Sequence, residues 1–248
     1  MAWASIQFFD DLNDFLSPKR KGRKIIFSFK GNPAVKHIIE SMGVPHTEVD
    51  LILVDGEYAG FGHAVFEGEV IEVYPIERTQ KFEIRPGFQK TWDVEPRFVL
   101  DNHLGKLAIY LRMLGMDALY RNDFQDEVLA DLAFQGERVL LTRDRQLLMR
   151  KIVRDGYCLR NLDPRLQLFE VMKRFNLCAF IIPFQRCIKC NCKLIVVSKE
   201  SILDRLQPLT RQYYNDFRIC LKCDQIYWKG SHYERMKGFI EEAKKEII

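Results

Sequence analysis

The chain has 248 residues, 47% hydrophobic and 29% charged, which suits a globular protein of one large or two to three small domains and excludes wholesale disorder. Its 38 Lys and Arg against 34 Asp and Glu leave a formal net charge of +4, a balance that allows nucleic acid as a partner without demanding it. No segment approaches the roughly eighteen uninterrupted apolar residues of a spanning helix, and Met1 to Phe9 runs directly into Asp10, Asp11 and Asp14, the wrong order for a secretory signal. The expectation is a soluble, cytoplasmic protein with no membrane partner. Seven cysteines, an odd count that includes two Cys-x-x-Cys units, point to thiolates holding metal in a reducing compartment rather than to disulfide staples.

Lys24 to Lys30 alternates like a strand, and Asn32-Pro33 opens a helical stretch, Ala34 to Met42, closed by Gly43. Val49 to Val54 reads as a strand ended by the turn Asp55-Gly56, and Val70 to Tyr74 as another ended by Pro75. Together they make a small α+β unit. The polar stretch from Pro75 to Pro96, with Pro86-Gly87, reads as a connection between domains. Beyond it come a short strand Phe98 to Leu100, a helix Leu104 to Leu114 capped by Gly115, a strand Met116 to Tyr120, a helix Asp126 to Gln135 and a strand Arg138 to Thr142. Strands alternating with helices argue for a parallel sheet covered on both faces. The composition shifts again at Cys187, and Tyr233 to Ile248 reads as a charged amphipathic helix.

Asp101 follows the first of these central strands and Asp144 the last, and the carboxyl ends of strands in an open parallel sheet form its ligand crevice. Asp126, at the start of the intervening helix, can join them from the same edge. Three carboxylates in one crevice are costly unless cations occupy it. Such hard oxygen ligands suit Mg²⁺ or Mn²⁺, ions that serve phosphodiester hydrolysis. The plainer alternative is that Asp101 and Asp126 cap helices or sit in their first turns. Lys106, Arg112, Arg143 and Arg145 can hold a phosphate backbone, although charges on solvated faces would look the same.

Cys187-Ile188-Lys189-Cys190 and Cys220-Leu221-Lys222-Cys223 are two matching knuckles about thirty residues apart. Four thiolates make a closed structural zinc site, and the pairing argues against redox chemistry. The ribbon is expected to fold around its metal as a separate unit, so that Cys187→Ser would unfold it and leave the central domain largely intact. Cys192 reads as a spectator, and Cys158 and Cys178 as small buried hydrophobes. Tyr227, Trp228, Lys229, Ser231, His232 and Tyr233 suit base stacking and phosphate contact as well as they suit packing of the ribbon.

The run Arg97-Phe98-Val99-Leu100-Asp101, then Leu104 to Ala108, Leu111 to Gly115, Leu140 to Arg145, Gln167-Leu168, Arg186 to Asn191, and Cys220 to Cys223 with Tyr227 to Tyr233, resembles the C-terminal RNase domain of the Mut-7 family. The resemblance covers residues 97 to 238. It implies an α/β, PIN-like three-layer nuclease domain with a parallel sheet over 97–183, then a zinc ribbon and C-terminal helix over 184–248. It also implies a metal-dependent ribonuclease with catalytic, Mg- or Mn-binding acids matching Asp101, Asp126 and Asp144; Asp123, Glu127 and Asp163 compete for a fourth position. Ile25 to Pro75 is similar to the ubiquitin-like β-grasp domain that precedes this RNase domain, which assigns residues 1–80 to it and allows a protein partner there. Since the chain continues past Pro75, sulfur-carrier chemistry at a free diglycine tail is not expected. The alternatives are a non-catalytic RNA-binding module, in which the ribbon does the recognition, and an RNA-recruiting adaptor.

Overall fold

The computed structural model describes residues 1–75 and 94–245. In chain order its strands and helices begin with β1 (Ala2–Phe8), β2 (Ile25–Phe29), α1 (Val35–Ser41), β3 (Val49–Val54), β4 (Glu57–Tyr58) and β5 (Val70–Pro75). They continue with β6 (Phe98–Leu100), α2 (Gly105–Leu114), β7 (Ala118–Tyr120), α3 (Asp126–Gln135), β8 (Val139–Thr142), α4 (Arg145–Leu148), β9 (Gly156–Cys158) and α5 (Pro164–Arg174). Last come β10 (Ile195–Val197), α6 (Pro208–Tyr213), β11 (Phe217–Ile219), β12 (Ile226–Trp228) and α7 (Ser231–Lys245). The chain divides into two compact units, one of residues 1–75 with 126–158, the other of residues 94–125 with 159–245. The expected connection around Pro86-Gly87 lies outside the described residues.

In the first unit, a five-stranded sheet has the order β2-β1-β5-β3-β4, with β1 parallel to β5 and every other pairing antiparallel. This is the β-grasp arrangement. Strand β1 is not among the elements expected from the sequence, which begin at Lys24. Its period-two pattern is nonetheless clear, with Ala4, Ile6 and Phe8 buried and Trp3 exposed. The Asp55-Gly56 turn is confirmed by left-handed backbone at both positions, φ 51° and 83°, the conformation that a tight two-residue hairpin loop needs to join β3 to β4. The same unit contains α3, α4 and the parallel pair β8 and β9.

The second unit pairs β6 parallel to β7, with Phe98 opposite Ala118. Helix α2 buries Leu107, Ala108, Leu111 and Leu114 while Lys106 stays exposed, the amphipathic spacing expected of it. Gly115 ends the helix at φ 98°, and a Cβ there would collide with the Ile182 carbonyl, so only glycine fits. Strands β10, β11 and β12 form an antiparallel sheet over a small core of Ile202, Leu206, Phe217, Ile219 and Ile226. The parallel strand pairs, the β-grasp sheet and the cysteine cluster beside the C-terminal sheet bear out the α/β class that the sequence implied.

Candidate functional site

Each acid is held by its own element. Asp101 directly follows β6 and caps the turn Asn102–Leu104, its Oδ1 accepting from the Asn102 amide at 2.6 Å. Asp144 stands two residues after β8 and caps α4, accepting from the Gln146 amide at 2.7 Å. Asp126 opens α3, with Oδ2 3.6 Å from Arg150 Nη2, and the same nitrogen donates to Glu127 Oε1 at 2.9 Å. Asp101 belongs to the second unit, Asp126 and Asp144 to the first. The candidates for a fourth acid all have partners of their own: Asp123 pairs with Arg121, Glu127 with Arg150, and Asp163 caps α5.

The four expected RNA-binding cations separate into two kinds. Lys106 and Arg143 are exposed, and neither has an ion-pair partner among the described residues. Arg112 is different. It is only 3% exposed, and its guanidinium donates from Nε to the Ala118 carbonyl at 2.9 Å and from Nη1 to the Ile188 and Lys189 carbonyls at 3.0 and 3.2 Å. Burial lowers its pKa, while Cys187, Cys190 and Asp117 act to raise it. These bonds tie α2 and β7 to the first cysteine knuckle. Arg112→Ala is expected to destabilise the protein by about 3 kcal/mol, because three carbonyls lose their charged donor. Arg112→Lys recovers part of this at most, since an ammonium lacks the planar fork; the denaturant midpoint checks both.

Arg145 is also committed. Its Nη1 donates to the Phe15 carbonyl at 2.8 Å and its guanidinium lies 4.9 Å from the centre of the Phe15 ring. Two further links join the β-grasp segment to residues 126–158. The ring nitrogens of His46 meet Glu40 Oε1 at 2.8 Å and the Val153 carbonyl at 2.9 Å, and the buried Glu48 accepts from the Cys158 amide at 2.6 Å. The residue beside Asp144 thus bonds to the N-terminal part of the chain.

Cys187, Cys190, Cys220 and Cys223 bring their sulfurs within 4.8 Å of one another. Cys187 Sγ lies 3.4 Å from Cys223 Sγ and Cys190 Sγ 3.3 Å from Cys220 Sγ. A tetrahedral zinc with bonds of about 2.3 Å separates its sulfurs by about 3.8 Å, so the donor set fits zinc with a small expansion. The two knuckles are geometric twins. The Asn191 and Asp224 amides donate to the Cys187 and Cys220 carbonyls at 2.9 and 2.8 Å, and both residues adopt positive φ, 70° and 58°. Asn and Asp tolerate that conformation better than most side chains. The recurring Cys-x-x-Cys-Asn/Asp pattern is therefore a local signal for the knuckle turn that sequence reading did not use.

Tyr227 lies with its hydroxyl 3.1 Å from Cys187 Sγ. Burial acts to raise the Cys187 pKa, but bonds from this hydroxyl and from the Cys190 amide outweigh it and bring the thiol down to about 7. Burial and the neighbouring Cys187 push the Tyr227 hydroxyl well above its ordinary range. Asn191 locks the first knuckle in place: its Oδ1 accepts from the Ala118 amide at 3.0 Å and its Nδ2 donates to Asp117 Oδ1 at 2.8 Å. Arg186 adds an ion pair to Asp117 at 3.3 Å.

No described helix is long and apolar enough to cross a membrane. No curated protein matches the chain. Among solved structures, the crystal structure of H. volcanii small archaeal modifier protein 1 is similar at 18% identity, covering 30% of this chain and 98% of that one with a TM-score of 0.25. Two family models match in the order that the sequence resemblance implied: Mut7-C ubiquitin over residues 1–81 and Mut7-C RNAse domain over residues 96–240. The chain belongs to the Mut7-C RNAse domain family and carries a Mut7-C ubiquitin domain ahead of it.

Proposed function

We propose that the protein is a metal-dependent ribonuclease that hydrolyses RNA phosphodiester bonds. The observation that carries this reading is the match of residues 96–240 to an RNAse domain in which Asp101 and Asp144 stand at the carboxyl ends of parallel strands. Asp101, Asp126 and Asp144 would hold Mg²⁺ or Mn²⁺, which when bound supplies Lewis acidity and neutralises charge developing on the phosphate. Lys106 and Arg143 hold the RNA backbone in register. A water oxygen bonds to phosphorus as one P–O ester bond breaks, and the proton it sheds balances the one taken up by the leaving oxygen. Zinc on the four thiolates keeps the ribbon folded and takes no part in the reaction. The reading includes a reducing, cytoplasmic setting, which free thiolate ligands need, and a protein contact through the ubiquitin-like domain.

One observation favours a second reading, that of an RNA-binding module without turnover. Asp101 and Asp144 both cap helical turns, a role that would retain them without catalysis. Incubating the purified protein with a mixed RNA pool, with and without Mn²⁺, decides between the two. Cleavage is expected only with the metal; retention of intact RNA whether or not metal is added would favour the module. RNA affinity is further expected to fall steeply between 50 and 200 mM salt, as backbone contacts release counterions. Affinity constant across that range in a filter-binding titration would remove Lys106 and Arg143 from the reading.

A further inference from the structure

A cavity of about 420 Å³ opens beside the ribbon, wholly within the unit of residues 94–125 and 159–245. That volume is in the range of small-molecule sites, about 300–1,000 Å³. Its walls include Phe184, Tyr227, Trp228 and Tyr233, with Arg112, Arg186 and Lys189 as its cations, Arg112 being held by backbone carbonyls, and among the described residues no carboxylate lines it. Arg186 is already balanced by Asp117, but Lys189 is exposed and has no ion-pair partner among the described residues. Gly230 keeps the indole where it is, since a Cβ there would come within 2.7 Å of Trp228 Nε1. Ser231, the first residue of the 15-residue helix α7, also lines the cavity, and a helix start adds partial positive charge.

Aromatic walls with a free cation and no acid suit a ligand that is flat, aromatic and anionic at one end. We propose that this cavity is a subsite for one unpaired RNA nucleotide, its base against the aromatic wall and a flanking phosphate on Lys189. Single-stranded RNA is recognised through such combinations, because unstacked bases gain contact with aromatic rings while cations follow the backbone. Paired bases cannot enter, so the subsite selects single strands. The proposal takes its ligand class from the RNA reading above but does not require cleavage.

The test uses the full chain, loaded with zinc, with no Mg²⁺ or Mn²⁺ added. A fluorescent single-stranded RNA octamer carrying 4-thiouridine is titrated, photo-crosslinked and mapped by mass spectrometry. Crosslinks are expected on the peptide spanning Tyr227 to Tyr233, and an excess of adenosine 5′-monophosphate is expected to reduce them. Lys189→Glu should weaken binding about tenfold, and Trp228→Ala by about tenfold or more, with Trp228→Phe recovering most of the loss. If Trp228→Ala loses its zinc, the Lys189→Glu titration and the crosslink map decide alone. Crosslinks outside the cavity, wild-type affinity in Lys189→Glu, or no octamer binding at all would overturn the subsite. Binding and crosslinking here without any cleavage when Mn²⁺ is supplied would support the subsite and sink the ribonuclease reading, whereas cleavage unaffected by the cavity variants would do the reverse.

Discussion

Stripping zinc from the native chain is expected to unfold more than the ribbon. The sequence alone suggests a separable ribbon that Cys187→Ser would melt by itself, whereas the contacts of the first knuckle lead to a wider effect. Arg112 on α2 bonds the Ile188 and Lys189 carbonyls of the knuckle, and Asn191 of the knuckle bonds the Ala118 amide at the start of β7. Losing the knuckle strands a buried guanidinium and leaves a buried amide without its acceptor. The first costs about 3–5 kcal/mol and the second about 1–3 kcal/mol. Those penalties fall on α2 and β7, beyond the zinc-binding energy itself. Native protein should contain one zinc per chain by elemental analysis. Chelation, or Cys187→Ser, should then raise amide hydrogen exchange across residues 105–120 as well as across the ribbon. Zinc content near zero in unchelated protein would end the metal assignment, and unchanged protection of α2 and β7 after chelation would show that the coupling is absent.

Asp101→Asn and Asp144→Asn are expected to abolish cleavage while leaving the metal-free protein as stable as before. Asparagine caps a helix nearly as well as aspartate, so the bonds to the Asn102 and Gln146 amides survive and stability should change by less than about 0.5 kcal/mol. Alanine, which cannot accept those bonds, should cost about 1 kcal/mol at either site. The catalytic effect is separate, because a lost ligand removes several kcal/mol of transition-state stabilisation, on the order of a thousandfold in rate. Wild type should also gain about 2.7 kcal/mol from Mn²⁺ at a hundred times its dissociation constant, and the asparagine variants much less. Thermal unfolding of all three proteins with and without Mn²⁺ measures this without any RNA. An equal Mn²⁺ shift in the three would refute the shared metal site and leave Asp101 and Asp144 as caps.

The same pair of capping bonds explains why the acids were ambiguous in the sequence. A carboxylate at the end of a strand and the start of a helical turn satisfies orphan amides whether or not it holds a metal. The functional and structural readings predict the same residue type at the same place. Only the asparagine variants distinguish them.

The sequence by itself determined the features whose partners are near in the chain. Each cysteine knuckle is closed within one turn, by the amides of Asn191 and Asp224 on the carbonyls of Cys187 and Cys220. Helix α3 was legible at both ends, and the alternation of strands and helices from Phe98 to Thr142 gave the parallel class. The family was legible because its motifs are short runs of this kind, and both domain matches fall in the expected order. Tertiary structure decided the roles of residues whose partners are remote. Strand β1 gains its meaning only by lying parallel to β5, more than sixty positions away along the chain. Arg112 and Arg145 look like solvated cations in any local window, yet each donates to a remote carbonyl, Ile188 at 76 and Phe15 at 130 residues' distance. A periodic pattern reports which side of an element is apolar. It cannot report whether a charge at one position will find carbonyls to satisfy it when the chain closes, and for a buried guanidinium that pairing decides whether the charge can be buried at all.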